Sequence, residues 1–332
     1  MTEVRISPAD AEALVVAVFG RAGMPERLAA PAARALVAAE RDGLPSHGMA
    51  RAPFYAAQMR TGKVRPEAEP QVVRDGAVLR VDAGHGLAFA AIEAGAEAAR
   101  PVVRELGLVA VSITQSHHFG VAGHAVEPFA RAGLIALAMS NSPAATAPWG
   151  GSRALYGTNP IAFAAPRVAG DPLLIDLSLS HVARGKVMIA QKAGHAIPEG
   201  WALDAEGRPT TDPAAAMAGT MVPAGGAKGA ALALMVELLT AGLAGGSFAY
   251  EASSLFDDAG GPPNLAHLVL VFDPARFAPG FADRAERMFA AIEAQEGARL
   301  PGARRHAEAA ARADEIAIPK TLHDTLRDLA GS

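Results

Sequence analysis

The chain has 332 residues, which suggests about two domains on the usual prior of about 100–200 residues each. Its apolar fraction of 51% excludes a disordered chain, and the absence of cysteine excludes disulfides, thiolate nucleophiles and cysteine-based metal centres. A net charge of −4 with mixed signs and no basic stripe argues against nucleic acid as a partner. Because no apolar run reaches the roughly 18 residues of a membrane span and the first residues do not resemble a signal peptide, we expect a cytoplasmic protein without membrane contact.

Helices dominate the first part of the chain. Ser7 and Pro8 provide an N-cap and a proline at the first helical position, and a break at Asp42–Pro45 ends the second helix. The predicted helices are about 8–21, 25–42, one that carries Arg51 and Tyr55, 88–106, 121–132, 229–243 and 281–296, with a helical tail over 307–329.

Short apolar runs predict strands between these helices. They lie at about 78–81, 108–113, 134–139, 161–164, 173–176 and 267–272. The first two flank the helix 88–106 and form a strand–helix–strand unit. The alternation of strands and helices indicates an α/β or α+β fold.

Polar, turn-forming residues follow two of these strands. Ser116-His117-His118-Phe119-Gly120 follows the strand at 108–113, and Asn141-Ser142-Pro143 follows the strand at 134–139. Ligand sites of α/β proteins are built at such strand ends. Adjacent residues of a strand point to opposite faces, so His117 and His118 cannot easily chelate one ion, and we expect no metal.

Two glycine-rich runs resemble nucleotide-binding motifs but fail at defining positions. In the run from Gly84 to Phe89 the third glycine of a dinucleotide fingerprint is replaced by Phe89, which favours a plain strand-to-helix turn. The run from Gly225 to Gly229 lacks the glycine before Lys228 and the hydroxyl residue after it, so it is not a P-loop. Its helix N-terminus and its ammonium group still suit an anion such as pyrophosphate.

The histidine at 47 begins a second polar cluster. Arg51 follows His47 by one helical turn, so an imidazole proton donor and a guanidinium can face one pocket and bind a substrate that carries a carboxylate. From spacing alone, a capping Ser46 beside a surface His47 is an equally good interpretation. For Asp176, at a strand end, an N-cap is the better interpretation when it is taken alone.

Taken together, these residues resemble the type-2 malate/L-lactate dehydrogenase family, which is distinct from the Rossmann-fold malate and lactate dehydrogenases. The matches follow one another in order through nearly the whole chain. They are 41–43, 46–48, 51, 55, 118–120, 141–143, 148–151, 157–163, 176, 183–186, 198–201, 207–213, 225–229, 237–238 and 301–302.

The resemblance implies a homodimeric, NAD(P)-dependent oxidoreductase with a non-Rossmann nucleotide fold. It implies a mixed sheet with flanking helices and a helical part formed by both ends of the chain. We expect residues 1–120 with 286–332 to form the substrate and dimerisation part, and 121–285 to form the nucleotide-binding part.

The resemblance also implies roles for individual residues. Ser46, His47 and His118 would be catalytic, with His47 as the proton donor, and Arg51, Tyr55 and Thr158 would bind the substrate. The nucleotide would be bound by His118, Phe119, Gly120, Val121, Ala122, Ser142, Asp176, Leu177, Ser178, Arg184, Lys228, Gly229 and Arg304. His118 therefore has two implied roles.

The family contains reductases of small 2-oxo acids and a branch that reduces the cyclic imines Δ1-piperideine- and Δ1-pyrroline-2-carboxylate. The His117-His118 doublet and Arg304-Arg305 are similar to the imine branch, whereas Lys186 stands where that branch has an acid. A lysine there would lower the pKa of His47 by like-charge repulsion. We therefore expect reduction of a 2-oxo acid, with the NADPH-dependent reduction of cyclic imines as the alternative. The cofactor is NAD or NADP, and Arg304 and Arg305 favour NADPH.

Overall fold

A computed structural model describes residues 2–331; Met1 and Ser332, both part of the predicted terminal unit, lie outside the described residues. Two short 3₁₀ turns, Pro45–His47 and Met49–Arg51, precede the third helix. The helices are α1 (Pro8–Arg21), α2 (Glu26–Arg41), α3 (Ala52–Arg60), α4 (Ala88–Leu106), α5 (Ala122–Arg131), α6 (Arg184–Ala193), α7 (Pro213–Ala218), α8 (Ala227–Glu237), α9 (Pro274–Phe277), α10 (Phe281–Glu293), α11 (Ala303–Ala311) and α12 (Lys320–Ala330).

The strands form a seven-stranded mixed sheet in the order β2-β3-β4-β11-β5-β6-β7, a small sheet β10-β8-β9 and the pair β1-β12. In the large sheet β3 and β4 are parallel and the remaining pairs are antiparallel. The strands are β1 (Glu3–Ile6), β2 (Gln71–Asp75), β3 (Val78–Asp82), β4 (Leu108–Ser116), β5 (Ile135–Ser140), β6 (Ile161–Ala165), β7 (Leu173–Leu177), β8 (Ala202–Leu203), β9 (Pro209–Thr210), β10 (Thr220–Met221), β11 (Leu265–Phe272) and β12 (Ile316–Pro319).

Local signals position the first helices as predicted. The Ser7 hydroxyl caps α1 by accepting a hydrogen bond from the Asp10 backbone N–H at 3.1 Å, which satisfies one of the unpaired donors of the first turn. Helix α4 ends at Gly107, whose φ of +85° is the left-handed conformation that glycine adopts without strain. The parallel β3–α4–β4 unit confirms the predicted strand–helix–strand arrangement.

Two large apolar cores organise the chain. One packs the seven-stranded sheet against α4 and α5, and the other packs α1, α2, α3 and α12 together with the β1–β12 pair. The predicted mixed sheet with flanking helices and a helical part built from both chain ends is therefore confirmed. The large sheet takes strands from both sides of residue 120, and the division into 1–120 with 286–332 and 121–285 stays a prediction.

The tail of the chain departs from the predicted single helix. Between α11 and α12 lies β12, which pairs with β1 in antiparallel register, with Glu3 opposite Pro319 and Ile6 opposite Ile316. Ile316 and Ile318 are buried, whereas the residues between and after them are exposed, so this short segment has the period of a strand. The segment forms a strand although helices lie on either side of it, because its two isoleucines are buried against the terminal helices.

Candidate functional site

The strand ends and the loops around them enclose a cleft of about 600 Å³. That volume is within the usual range of about 300–1,000 Å³ for small-molecule sites. The predicted site residues that line it are His47, Arg51, His118, Phe119, Gly120, Val121, Ala122, Ser142, Thr158, Asp176, Ser178 and Arg184. The fold thus brings together residues that lie more than a hundred positions apart in the sequence.

His47 is the half-buried imidazole on one wall of the cleft. It ends the 3₁₀ turn Pro45–His47, and its Nδ1 lies 3.0 Å from the hydroxyl oxygen of Ser46. Burial, and secondarily the positive charge of Arg51, lower the pKa of His47 to about 4, while Asp176 acts in the opposite direction. The imidazole is therefore neutral near pH 7 and able to accept a proton.

Arg51 approaches His47 because the two 3₁₀ turns follow each other directly. Its Nε donates to the carbonyl oxygen of Ser46 at 2.8 Å, and its guanidinium carbon lies 4.7 Å from the ring centroid of Phe256. The residue is 8% exposed, and this small area faces the cleft. A planar, oriented and desolvated guanidinium is suited to bidentate binding of a carboxylate.

His118 lies against His47, with ring centroids 5.5 Å apart and planes inclined by 26°. Its Nδ1 is 2.6 Å from the hydroxyl oxygen of Tyr55. Burial lowers the pKa of His118 and raises that of Tyr55, so both groups are neutral at pH 7. We assign the hydroxyl as the donor, which places the imidazole proton on Nε2. Tyr55 is fully buried and acts on the cleft through His118.

His117, the other member of the doublet, does not line the cleft. His117 is 1% exposed, packs edge-on against Tyr55, and neither of its ring nitrogens has a hydrogen-bond partner among the described residues. Burial lowers its pKa to about 3. Within residues 2–331 no group of three or more histidine, aspartate or glutamate side chains is arranged to hold a metal ion.

A tight turn supplies the hydroxyl groups on the opposite wall. The Ser142 hydroxyl accepts from the Thr158 backbone N–H at 3.0 Å and lies 3.2 Å from the Thr158 hydroxyl. A Cβ at Gly157 would overlap the carbonyl and hydroxyl oxygens of Ser142, so only glycine fits there. The buried Glu237 fixes the turn by accepting from the Asn159 amide at 2.9 Å and from the Gly157 N–H at 3.3 Å.

The N-terminus of α5 lines the same cleft as Ser142 and Thr158. Its first turn has no capping side chain at Val121, but Asp176 accepts a hydrogen bond from the Gly123 N–H at 2.9 Å. The same carboxylate oxygen is 2.9 Å from Nη1 of Arg305. Asp176 lies within β7 and binds the N-terminus of α5 from outside, so it is not the N-cap of a following helix.

Some predicted residues lie outside the cleft. Leu177, Lys228 and Arg304 are exposed, and Gly229 is buried at the start of α8. Their roles stay predictions. Arg305 lines the cleft, whereas its neighbour Arg304 does not.

The expected influence of Lys186 on His47 is wrong. Lys186 is exposed on α6 and contributes nothing to the pKa shift of His47, which comes from burial and Arg51.

A further wall of the cleft was not predicted from the sequence. Ala249, Tyr250, Ala252, Ser254, Leu255 and Phe256 line the cleft from the loop before β11. This loop contains no recognisable motif, and the titratable side chain that it adds to the cleft lining is Tyr250. A lone aromatic residue such as Phe256 carries no local signal for such a role.

Fold and cleft define a class of protein: a mixed-sheet α/β enzyme with a neutral histidine and an arginine at one ligand site. A family model described as malate/L-lactate dehydrogenase matches residues 6–327, and the chain belongs to this family. It is therefore an oxidoreductase of the NAD(P)-dependent dehydrogenase and reductase class, which confirms the predicted class of enzyme.

Three relatives illustrate the range of the family. The chain is 61% identical to the (2R)-3-sulfolactate dehydrogenase (NADP(+)) of Chromohalobacter salexigens, over 98% of each chain. It is 40% identical to the Δ1-pyrroline-2-carboxylate reductase of Ancylobacter novellus, over 98% of this chain and 97% of the other. The crystal structure of Δ1-piperideine-2-carboxylate reductase from Pseudomonas syringae superposes with a TM-score of 0.92 at 38% identity, covering 98% of this chain and 99% of the other.

Proposed function

We propose that this protein interconverts a small 2-hydroxy acid and the corresponding 2-oxo acid with NADP(H), and that the hydroxy acid is (2R)-3-sulfolactate. The observation that carries the proposal is the placement of His47 and Arg51 on one cleft wall, where a proton-transfer group and a carboxylate-binding group face the same space. The 61% identity to a sulfolactate dehydrogenase supports the choice of substrate.

The charge of the cleft supports an anionic substrate and cofactor. Among the described residues that line it, three guanidinium groups, those of Arg51, Arg184 and Arg305, stand against the single carboxylate of Asp176. Sulfolactate carries a carboxylate and a sulfonate, whereas the cyclic imines carry one carboxylate. The positive charge of the cleft attracts either anion, so the choice of sulfolactate over a cyclic imine rests on the 61% identity to the sulfolactate dehydrogenase.

His47 would exchange the proton with the substrate. In the oxidative direction the neutral imidazole accepts the proton of the 2-hydroxyl group while Arg51 and Thr158 hold the carboxylate. In the reductive direction the protonated imidazole returns it to the oxygen. Ser46, 3.0 Å from Nδ1, orients the ring so that Nε2 exchanges the proton.

The residues on the other walls fit a nicotinamide nucleotide. The Ser142 and Ser178 hydroxyls and Arg184 offer donors to phosphate and amide groups, beside the N-terminus of α5, where Asp176 already accepts from the Gly123 N–H. Gly120, with a φ of +73°, lets the chain turn into α5 where a Cβ would lie 2.7 Å from the Phe89 ring. NADP(H), when bound, accepts or supplies the hydride. The NADP(+) named for the sulfolactate relative favours NADPH over NADH.

We also propose that the active form is a homodimer. Leu232, Leu234, Leu238 and Leu243 are 42–67% exposed along α8 and the turn after it, a continuous apolar surface of the kind that subunit contacts cover. Light scattering of the purified protein gives the test: a mass of one 33.9 kDa chain contradicts the proposal. No helix within residues 2–331 has the length and hydropathy of a membrane span, and a cytoplasmic location stays a prediction.

The test is a substrate screen followed by absorbance at the NADPH band. (2R)-3-Sulfolactate, malate and lactate are offered with NADP+, and pyruvate, oxaloacetate and both cyclic imines with NADPH. We expect sulfolactate to have the highest kcat/KM. A higher value for either cyclic imine overturns the choice and establishes the alternative, reduction of cyclic imines.

The role of His47 is tested by His47→Ala, with His195→Ala as the matched control because His195 is exposed. We expect a loss of about 10²–10⁴-fold in kcat for His47→Ala, the usual contribution of a general acid or base. Near-wild-type turnover at saturating cofactor contradicts the assignment.

A further inference from the structure

Lys63 is a buried cation that has no part in the proposed reaction. Lys63 follows α3 and is 1% exposed. Its Nζ donates to the carbonyl oxygen of Ala259 at 2.7 Å and to that of Asp257 at 3.2 Å, and a carboxylate oxygen of Asp257 is 3.5 Å away. Burying an ammonium group costs desolvation free energy, and these contacts offset that cost for Lys63.

Lys63 is the centre of a set of anchors that all hold one segment. The Gln58 amide donates to the Asp257 carbonyl at 2.8 Å, and the Thr61 hydroxyl donates to the Asp258 carbonyl at 3.2 Å. Asp257, Asp258 and Ala259 are themselves exposed. The segment is therefore fastened to the end of α3 through its backbone carbonyls, not by burial of its own side chains.

The anchored segment begins one residue after Phe256. The ring centroid of Phe256 lies 4.7 Å from the guanidinium carbon of Arg51, and Phe256 lines the cleft together with Ser254 and Leu255. A displacement of the anchored carbonyls is transmitted to Phe256 through a single peptide unit. The direction of the Arg51 guanidinium then depends on a contact made outside the cleft.

We propose that Lys63 is a positioning residue of the substrate site. Its ammonium group holds the segment Asp257–Ala259, which sets Phe256 against Arg51 and so fixes the direction in which Arg51 meets the substrate carboxylate. The inference rests on the proposed function, because it takes Arg51 as the carboxylate-binding group.

The first variant is Lys63→Met, which keeps most of the side-chain volume and removes the donors. The control is Lys320→Met, because Lys320 is half-exposed and forms a surface pair with Asp324. With the acid that turns over fastest in the screen, we expect Lys63→Met to raise its KM about tenfold or more, since small misplacements of a binding group have large effects. NADPH affinity, from fluorescence titration, should change less than about twofold because the nucleotide-binding donors are on other walls.

A second variant acts without touching the buried cation. Phe256→Leu removes the ring from the Arg51 guanidinium, and we expect the same rise in KM with little change in NADPH affinity. In the double variant the two effects should be far from additive, because both act through one contact. Lys63→Arg keeps the charge and donors and should recover part of the wild-type KM.

Two results overturn the inference. One is an unchanged substrate KM in Lys63→Met or in Phe256→Leu. If Lys63→Met does not fold, the KM of Phe256→Leu alone tests the inference. The other is an equal loss of NADPH affinity and substrate affinity, which indicates a general structural role. Arg51→Lys distinguishes a failure of this inference from a failure of the proposed function. If Arg51→Lys leaves the substrate KM unchanged, Arg51 does not bind the substrate and the proposed function fails. If Arg51→Lys raises KM but Lys63→Met and Phe256→Leu do not, Arg51 keeps its role and only the role of Lys63 is refuted.

Discussion

The burial of His117 predicts how much unfolding free energy the protein loses in acid. The imidazole is 1% exposed, neither ring nitrogen has a hydrogen-bond partner among the described residues, and burial lowers its pKa to about 3 from an ordinary value of 6.5. Between these two pH values the unfolded chain binds a proton that the folded chain does not. Stability contributed by the neutral imidazole is therefore lost as the pH falls below 6.5.

The size of the loss follows from these two pKa values. Since one pKa unit corresponds to about 1.4 kcal/mol, lowering the pH from 7 to 5 should cost about 2 kcal/mol of unfolding free energy through His117 alone. His267, whose ring nitrogens lie 2.8 Å from the Ser140 hydroxyl and 2.9 Å from the Ser116 hydroxyl, has a pKa lowered to about 3 by burial and adds a loss of the same order.

The assay is urea unfolding of His117→Phe and of the wild type at pH 7 and pH 5. Phenylalanine keeps the ring that packs against Tyr55 and removes the titrating group, so the variant should lose about 2 kcal/mol less than the wild type between the two pH values. His195→Phe is the control, because its side chain is exposed. If His117→Phe keeps the full wild-type difference, titration of His117 does not cause the loss of stability.

Further predictions concern the cleft. With the pKa of His47 lowered to about 4, kcat/KM for reduction should rise as the pH falls from 8 to 5, while kcat/KM for oxidation stays level; a reduction rate that is flat over this range argues against His47 as the acid. Asp176→Asn removes a charge that raises the pKa of His47, so the pH–rate profile for reduction should move to lower pH, and a move to higher pH contradicts this. Gly157→Ala should lower both the Tm and the activity, because its Cβ would overlap Ser142, whereas Gly20→Ala, with open space around it, should leave both close to wild type; equal effects would disprove the steric argument.

Local chemistry was sufficient for much of the fold. The Ser7 cap, the strand–helix–strand unit and the absence of a true dinucleotide fingerprint follow from residue spacing and turn residues alone. The pair β1–β12 did not, because its strands are about 310 residues apart and each is only four residues long. Strands of that length lack a distinct periodic signal, and their conformation is decided by the helices that cover them.

The candidate site, like the fold, was predictable from the sequence only in part. Sequence by itself determined the family and the residue types of the cleft, because motifs such as Ser46-His47-Gly48 retain their chemistry wherever the chain places them. Tertiary structure alone decided that Arg305 and not Arg304 faces the cleft, that Lys186 is exposed on α6, and that Phe256 lies beside Arg51. Side-chain direction and desolvation depend on packing between distant segments, which residue order does not encode locally.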